Sequence, residues 1–181
     1  MYLRYEEAPQ AAYDLLKKVI AADELNFGNL AGAKILLLMD LKKRATKGKI
    51  TFASIKTSAE LERFLSVDDE AIPDGYDYII RLDKMLWNHI EDVDRTRLLR
   101  HELRHADVHI ESDTPFKTRG HTVEDFYSEI EYNRDDPKWD LRLATLLTAL
   151  YEGKNVDGIA TGKQVQDPMF EENGNGEQSG D

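Results

Sequence analysis

The stretch from Leu98 to His109 constrains this chain more than any other, because its residues sort into coherent faces only when wound as a helix. It contains His101-Glu102-Leu103-Arg104-His105. Residues four apart on a helix stand about 40° apart around the axis, so His101 and His105 share a face. Two imidazoles so placed can bind one metal ion, and Glu102 beside them can reach a water on it. At about 100° per residue the neighbours fall into three groups. Asp94, Leu98, His101, Glu102, His105 and His109 share the first face. Leu99, Leu103, Ala106 and Ile110 form a second, apolar face suited to a core. Arg97, Arg100, Arg104 and Asp107 form a third, charged face suited to water. The ligand pair therefore brings its own burial stripe, which a chance match to the motif would not usually have.

A catalytic zinc takes three protein ligands and keeps one position for water. The leading third candidate is His121, sixteen residues past His105, between Gly120 and the helix-capping Thr122. Glu124 or Asp125 is the carboxylate alternative. His109 shares the metal face, yet lies about 12 Å along the axis from His101, too far for one ion. With a metal at these residues, the chemistry is hydrolysis by an activated water, with Glu102 as general base. A further donor is needed for the oxyanion, and Tyr127, Tyr132, His109 and Arg119 are the candidates within reach along the chain.

The rest of the chain alternates short elements. The opening residues lead into a charged amphipathic helix over about 8–22, striped by Ala12, Leu15, Leu16, Val19 and Ile20. Residues 23–32 read as a loop. The apolar run 33–41 suits a buried strand or a helix start. Lys42-Lys43-Arg44 reads as a solvated turn, and 50–56 as a strand, which makes a hairpin with the run before it. Residues 57–66 predict a short helix whose apolar side is Leu61, Phe64 and Leu65. Residues 76–82 predict a strand, and 83–90 a short helix or turn carrying Trp87 and His89. Asp92 or Asp94 starts the motif helix. Residues 111–120 read as a polar loop. A helix from Thr122 follows, burying Val123, Phe126, Tyr127 and Ile130, and a last amphipathic helix covers 139–151. From Gly153 the composition turns to Gly, Asn, Gln, Asp and Glu, which reads as an acidic, disordered tail over 153–181 after a domain over 1–152.

Composition narrows the function. The chain has no cysteine, so any metal site uses imidazole and carboxylate. A net charge of −11 argues against the chain binding nucleic acid by itself. The longest apolar run, Ile35 to Met39, is five residues, far short of a membrane span. No secretory leader is recognisable, and the expected location is the cytoplasm.

Four segments together resemble the phage metallopeptidase family. They are Tyr76-Asp77-Tyr78-Ile79-Ile80-Arg81-Leu82, the Trp87 segment, His101 to His105, and Gly120-His121-Thr122-Val123-Glu124-Asp125-Phe126. They are also similar to the wider SprT-like zincin group, in which a strand precedes the motif helix and the third histidine opens a later one. Thr122 departs from both, where SprT-like proteins carry Gly and the phage family Asp. The resemblance covers about 33–132. It implies a zincin-like α+β fold, with a small mixed sheet packed on the motif helix, flanking helices, and an edge strand along the cleft. It implies one zinc per chain, with His101, His105 and His121 at the ligand positions and Glu102 at the catalytic one. It also implies a phage or prophage origin and a protein or peptide substrate. The expected function is thus a zinc metallopeptidase. The competing expectation is a non-catalytic, metal-stabilised module that binds a host or phage protein, in which Glu102 would be dispensable.

Overall fold

The computed structural model describes residues 3–46, 49–68, 70–109, 111–121 and 127–159. The expected cap Thr122, the alternative ligands Glu124 and Asp125, the packing residues Val123 and Phe126, the stripe residue Ile110 and the stretch 160–181 lie outside the described residues.

The described elements run β1 (Tyr5–Glu7), α1 (Gln10–Ala22), α2 (Glu24–Phe27), a 3-10 turn (Gly28–Leu30), β2 (Ile35–Asp40), β3 (Ala45–Thr46), β4 (Lys49–Ile50) and β5 (Ala53–Thr57). They continue with α3 (Glu60–Leu65), β6 (Tyr78–Asp83), α4 (Lys84–His89), α5 (Asp92–His105), β7 (Ala106–Val108), β8 (Phe116–Thr118), α6 (Tyr127–Tyr132) and α7 (Trp139–Tyr151). The architecture is α+β. No helix of the described residues is long and apolar enough to cross a membrane.

The main sheet has the order β1-β2-β6-β5. Its centre is a parallel pair, β2 with β6, and both outer strands run antiparallel to their neighbours. Register stacks Leu37, Ile80 and Ile55 in one row, and Met39, Leu82 and Ala53 in the next. Alternation puts these side chains on one face, where they bury against Ala12, Leu16 and Val19 of α1 and Leu99 and Leu103 of α5. A second cluster joins α4, α5 and α7 through Leu86, Leu98, Trp139, Leu143, Leu146 and Leu147. Val156 and Ile159, past the end of α7, pack against it. Thus α5 is wedged between two cores, with Leu98 in one and Leu99 and Leu103 in the other.

Several expectations are overturned. The run 33–41 and the strand after Gly48 do not pair as a hairpin: β2 takes β6 as its neighbour, and β5 sits beyond β6. The opening residues form β1, an edge strand on β2, before the helix begins. Residues 23–32 include α2 and the 3-10 turn. The apolar side of α3 is exposed, with Leu61, Phe64 and Leu65 at 66%, 74% and 72%. Arg44 is not a solvated turn residue; it pairs with the fully buried Asp40 at 2.9 Å.

The largest correction concerns α5. The helix stops at His105, because Ala106 turns extended (φ −71°, ψ 135°) and starts β7. The helical metal face therefore does not continue to His109. Strand β8 falls inside the expected polar loop and pairs with β7, Ala106 opposite Thr118. The buried Tyr78 hydroxyl ties this hairpin to the sheet, lying 2.8 Å from the Asp107 carbonyl and 3.0 Å from that of Lys117.

The charged face of α5 is also not a solvated one. Arg97 and Arg104 are buried. Arg104 pairs with Asp23 at 2.9 Å and Glu129 at 3.2 Å, and Arg100 meets Glu129 at 2.8 Å. Asp94 accepts from Arg97 and Arg142, each at 2.8 Å. Short α6 accordingly turns Glu129 inward, fully buried, and leaves Ile130 and Tyr132 about half exposed. The expected apolar packing of Ile130 gives way to ion pairing, since a buried guanidinium without a counter-charge costs several kcal/mol, on the order of a buried charge's desolvation.

Candidate metal centre

The last two turns of α5 carry His101, Glu102 and His105. The hairpin β7–β8 then reverses the chain and brings His121 back beside them. Each of the three histidines offers a ring nitrogen, and these nitrogens lie within 4.8 Å of one another. The Nε2 atoms of His101 and His121 are 3.0 Å apart. Ring centroids are separated by 5.3 Å for His101 and His105, 5.1 Å for His101 and His121, and 4.5 Å for His105 and His121. His101 and His105 are half-buried, and His121 is exposed. Of the described residues, this is the group of histidines and carboxylates that could hold a metal ion.

The ring of His105 is oriented by the backbone. Its Nδ1 lies 2.7 Å from the Arg119 carbonyl oxygen. A carbonyl only accepts, so Nδ1 carries the proton and Nε2 keeps its lone pair. Burial holds the His105 pKa down, which favours the neutral ring that a metal needs.

Glu102 is 7% exposed and lies against the edge of the main sheet. Burial pushes its carboxyl up to about 7, against the opposing pull of His101, the Ile55 amide, Arg44 and Arg81. The Ile55 contact follows from strand geometry. The Phe52 carbonyl accepts from Asp83 of β6. Alternation then turns the amides of Ala53 and Ile55 outward, away from β6. β5 is an edge strand of the sheet, and its Ile55 amide hydrogen-bonds Glu102.

A cavity of about 440 Å³ opens between β5 and the three histidines. Its lining includes the apolar side chains of Phe52, Leu98 and Trp139 and the polar ones of Thr118 and Arg119. Trp139 stands edge-on to His101, with ring centroids 6.4 Å apart. Among the four expected oxyanion donors, Arg119 lines the cavity. The Tyr132 hydroxyl points to Asp23, His109 pairs with Asp107, and the side chain of Tyr127 lies outside the described residues. His89 is exposed and its ring bonds the Met85 carbonyl. Sequence reasoning missed β5 as the partner of Glu102 and Trp139 as a wall. The Trp139 role had no local signal, since its position depends on how α7 returns across α5.

A sequence model of the family described as "Putative phage metallopeptidase" matches residues 3–151. Neither a curated protein nor a solved structure matches the chain. The match spans every element from β1 to α7 and takes in the three histidines and Glu102, and on that extent the chain belongs to the phage metallopeptidase family.

Proposed function

We propose that this protein is a zinc-dependent peptidase of the zincin type, carried by residues 1–152, with an acidic tail over 153–181 whose first residues, Val156 and Ile159, pack back onto the domain, and a phage or prophage origin. His101, His105 and His121 would hold one zinc per chain, and Glu102 would be the general base. The convergence of three imidazoles beside a buried glutamate on a sheet edge carries this reading. The donor set fits the ion. A tetrahedral site with Zn–N of about 2.0–2.1 Å spaces its nitrogens roughly 3.3 Å apart, close to the 3.0 Å between His101 and His121. A chain without cysteine supplies imidazoles in place of thiolates.

Zinc held by these three imidazoles would lower the pKa of water toward about 7 and polarise a substrate carbonyl. The residues of the chain do the rest. Glu102 takes a proton from the attacking water and delivers it to the amine nitrogen as the C–N bond breaks. The Ile55 amide hydrogen-bonds that carboxylate, and both residues line the cavity. An extended peptide can add to β5 through the outward Ala53 amide and the outward carbonyls of Ala53 and Ile55, in keeping with a protein or peptide substrate.

The test is metal analysis of the purified chain combined with proteome-wide cleavage mapping. About one zinc per chain is expected, together with new peptide termini that vanish in Glu102→Gln. Full zinc occupancy in a His101→Ala, His105→Ala double variant would end this reading.

A further inference from the structure

Resting on the metal site proposed above, we propose that Arg119 is the positioning residue that fixes the His105 ring and seats His121. Three different groups of Arg119 close on the last turn of α5. Its N–H donates to the His105 carbonyl at 2.8 Å. Its carbonyl accepts from His105 Nδ1 at 2.7 Å. Its side-chain Nε donates to the Arg104 carbonyl at 2.6 Å.

Each contact meets a need of the helix end. The final carbonyls of a helix have no partner within it, and Arg119 satisfies those of Arg104 and His105. The ring contact holds His105 as the Nδ1–H tautomer, with Nε2 toward His121. Regular pairing of the hairpin ends at Thr118, opposite Ala106. His121 comes two residues after Arg119, beyond the strand. The Arg119 latch is thus the last anchored point before the third histidine. The two backbone contacts depend on where the peptide sits, and the side chain pins that peptide to Arg104.

Charge and position make opposite demands here. A guanidinium beside a dication repels it, so a charge effect alone predicts tighter zinc when Arg119 is removed. Positioning predicts weaker zinc. Partners of metal-bound histidines typically cost about 10–100-fold in affinity when lost.

The experiment measures zinc affinity by chelator competition, and the Co²⁺ absorption spectrum, on the full chain and on Arg119→Ala and Arg119→Lys. Arg119 is exposed, so truncation opens no cavity in the core. The expected result is zinc binding weakened about 10–100-fold in Arg119→Ala, an altered Co²⁺ spectrum, and a melting midpoint of the metal-free protein lowered by no more than about 2–4 °C, the cost of one hydrogen bond at the surface. Arg119→Lys keeps the charge and loses the planar Nε, and is expected to bind zinc more weakly than the parent chain. Zinc affinity equal to or above the parent's in Arg119→Ala overturns the proposal. If Arg119→Ala does not fold, parental affinity in Arg119→Lys overturns it instead. A parent chain that binds no zinc overturns the peptidase reading, and this inference with it. A parent that binds while the variants match it overturns this inference alone.

Discussion

The Glu129 carboxylate lies 3.2 Å from Nε of Arg104, with both side chains essentially buried. Arg100, one turn earlier on α5, reaches the same carboxylate at 2.8 Å. Short α6 is thereby held to the helix that carries two of the three histidines. Removing one member of a buried ion pair leaves its partner charged and unsolvated. Glu129→Ala is expected to destabilise the protein by about 3–5 kcal/mol, read as a lower urea midpoint. A loss below about 1 kcal/mol would mean that water reaches the arginines.

Tyr78 anchors the β7–β8 hairpin from beneath. Its hydroxyl serves carbonyls on both strands, Asp107 and Lys117. Tyr78→Phe keeps the ring in the core and deletes that link. The expected cost is about 1–3 kcal/mol, with faster hydrogen exchange confined to 106–118 and its sheet contacts.

Asp94 supplies a pH dependence. Burial raises its pKa, and the hydrogen bonds and charges of Arg142 and Arg97 outweigh burial, leaving it below the ordinary aspartate value. A depressed folded pKa stabilises the fold above the unfolded value of about 3.9. That stability is lost as pH falls through the folded value. Urea midpoints measured down the acid limb should therefore drop below about pH 4, and Asp94→Asn should flatten that limb while lowering stability at neutral pH.

Glu102→Gln separates binding from chemistry. The amide keeps the shape of the buried site and cannot take a proton. Zinc content is expected to match the parent, while peptide hydrolysis falls by about 10²–10⁴-fold, the range for a lost general base. Equal hydrolysis by the variant would remove Glu102 from the reaction.

The motif helix, the β6 strand and the third-histidine position were legible because each has a local signal. A four-residue spacing, a β-branched run and a Gly-His pair declare themselves without the rest of the fold. The burial of Arg97 and Arg104 and the ion pairing of Arg100 were not legible. A charged helix face reads as solvated until its counter-charges are known, and Asp23 and Glu129 come from distant parts of the chain. The same holds for the end of α5. The sequence from Ala106 to His109 continues the helical pattern well, and pairing with β8 overrides it. On α3 the apolar spacing of Leu61, Phe64 and Leu65 was correct for a helix and wrong about burial.

The β7–β8 hairpin has a thermodynamic consequence for the metal centre. A flexible connection between His105 and His121 would charge each binding event with the entropy of closing a loop, about (3/2)RT ln n. Strand pairing and the Tyr78 anchor meet that cost during folding, before any ion arrives. Metal uptake at the proposed site would then be an event of a finished structure, unlike small zinc modules that unfold when stripped. A chelator should take the metal and leave the circular-dichroism spectrum of the fold in place.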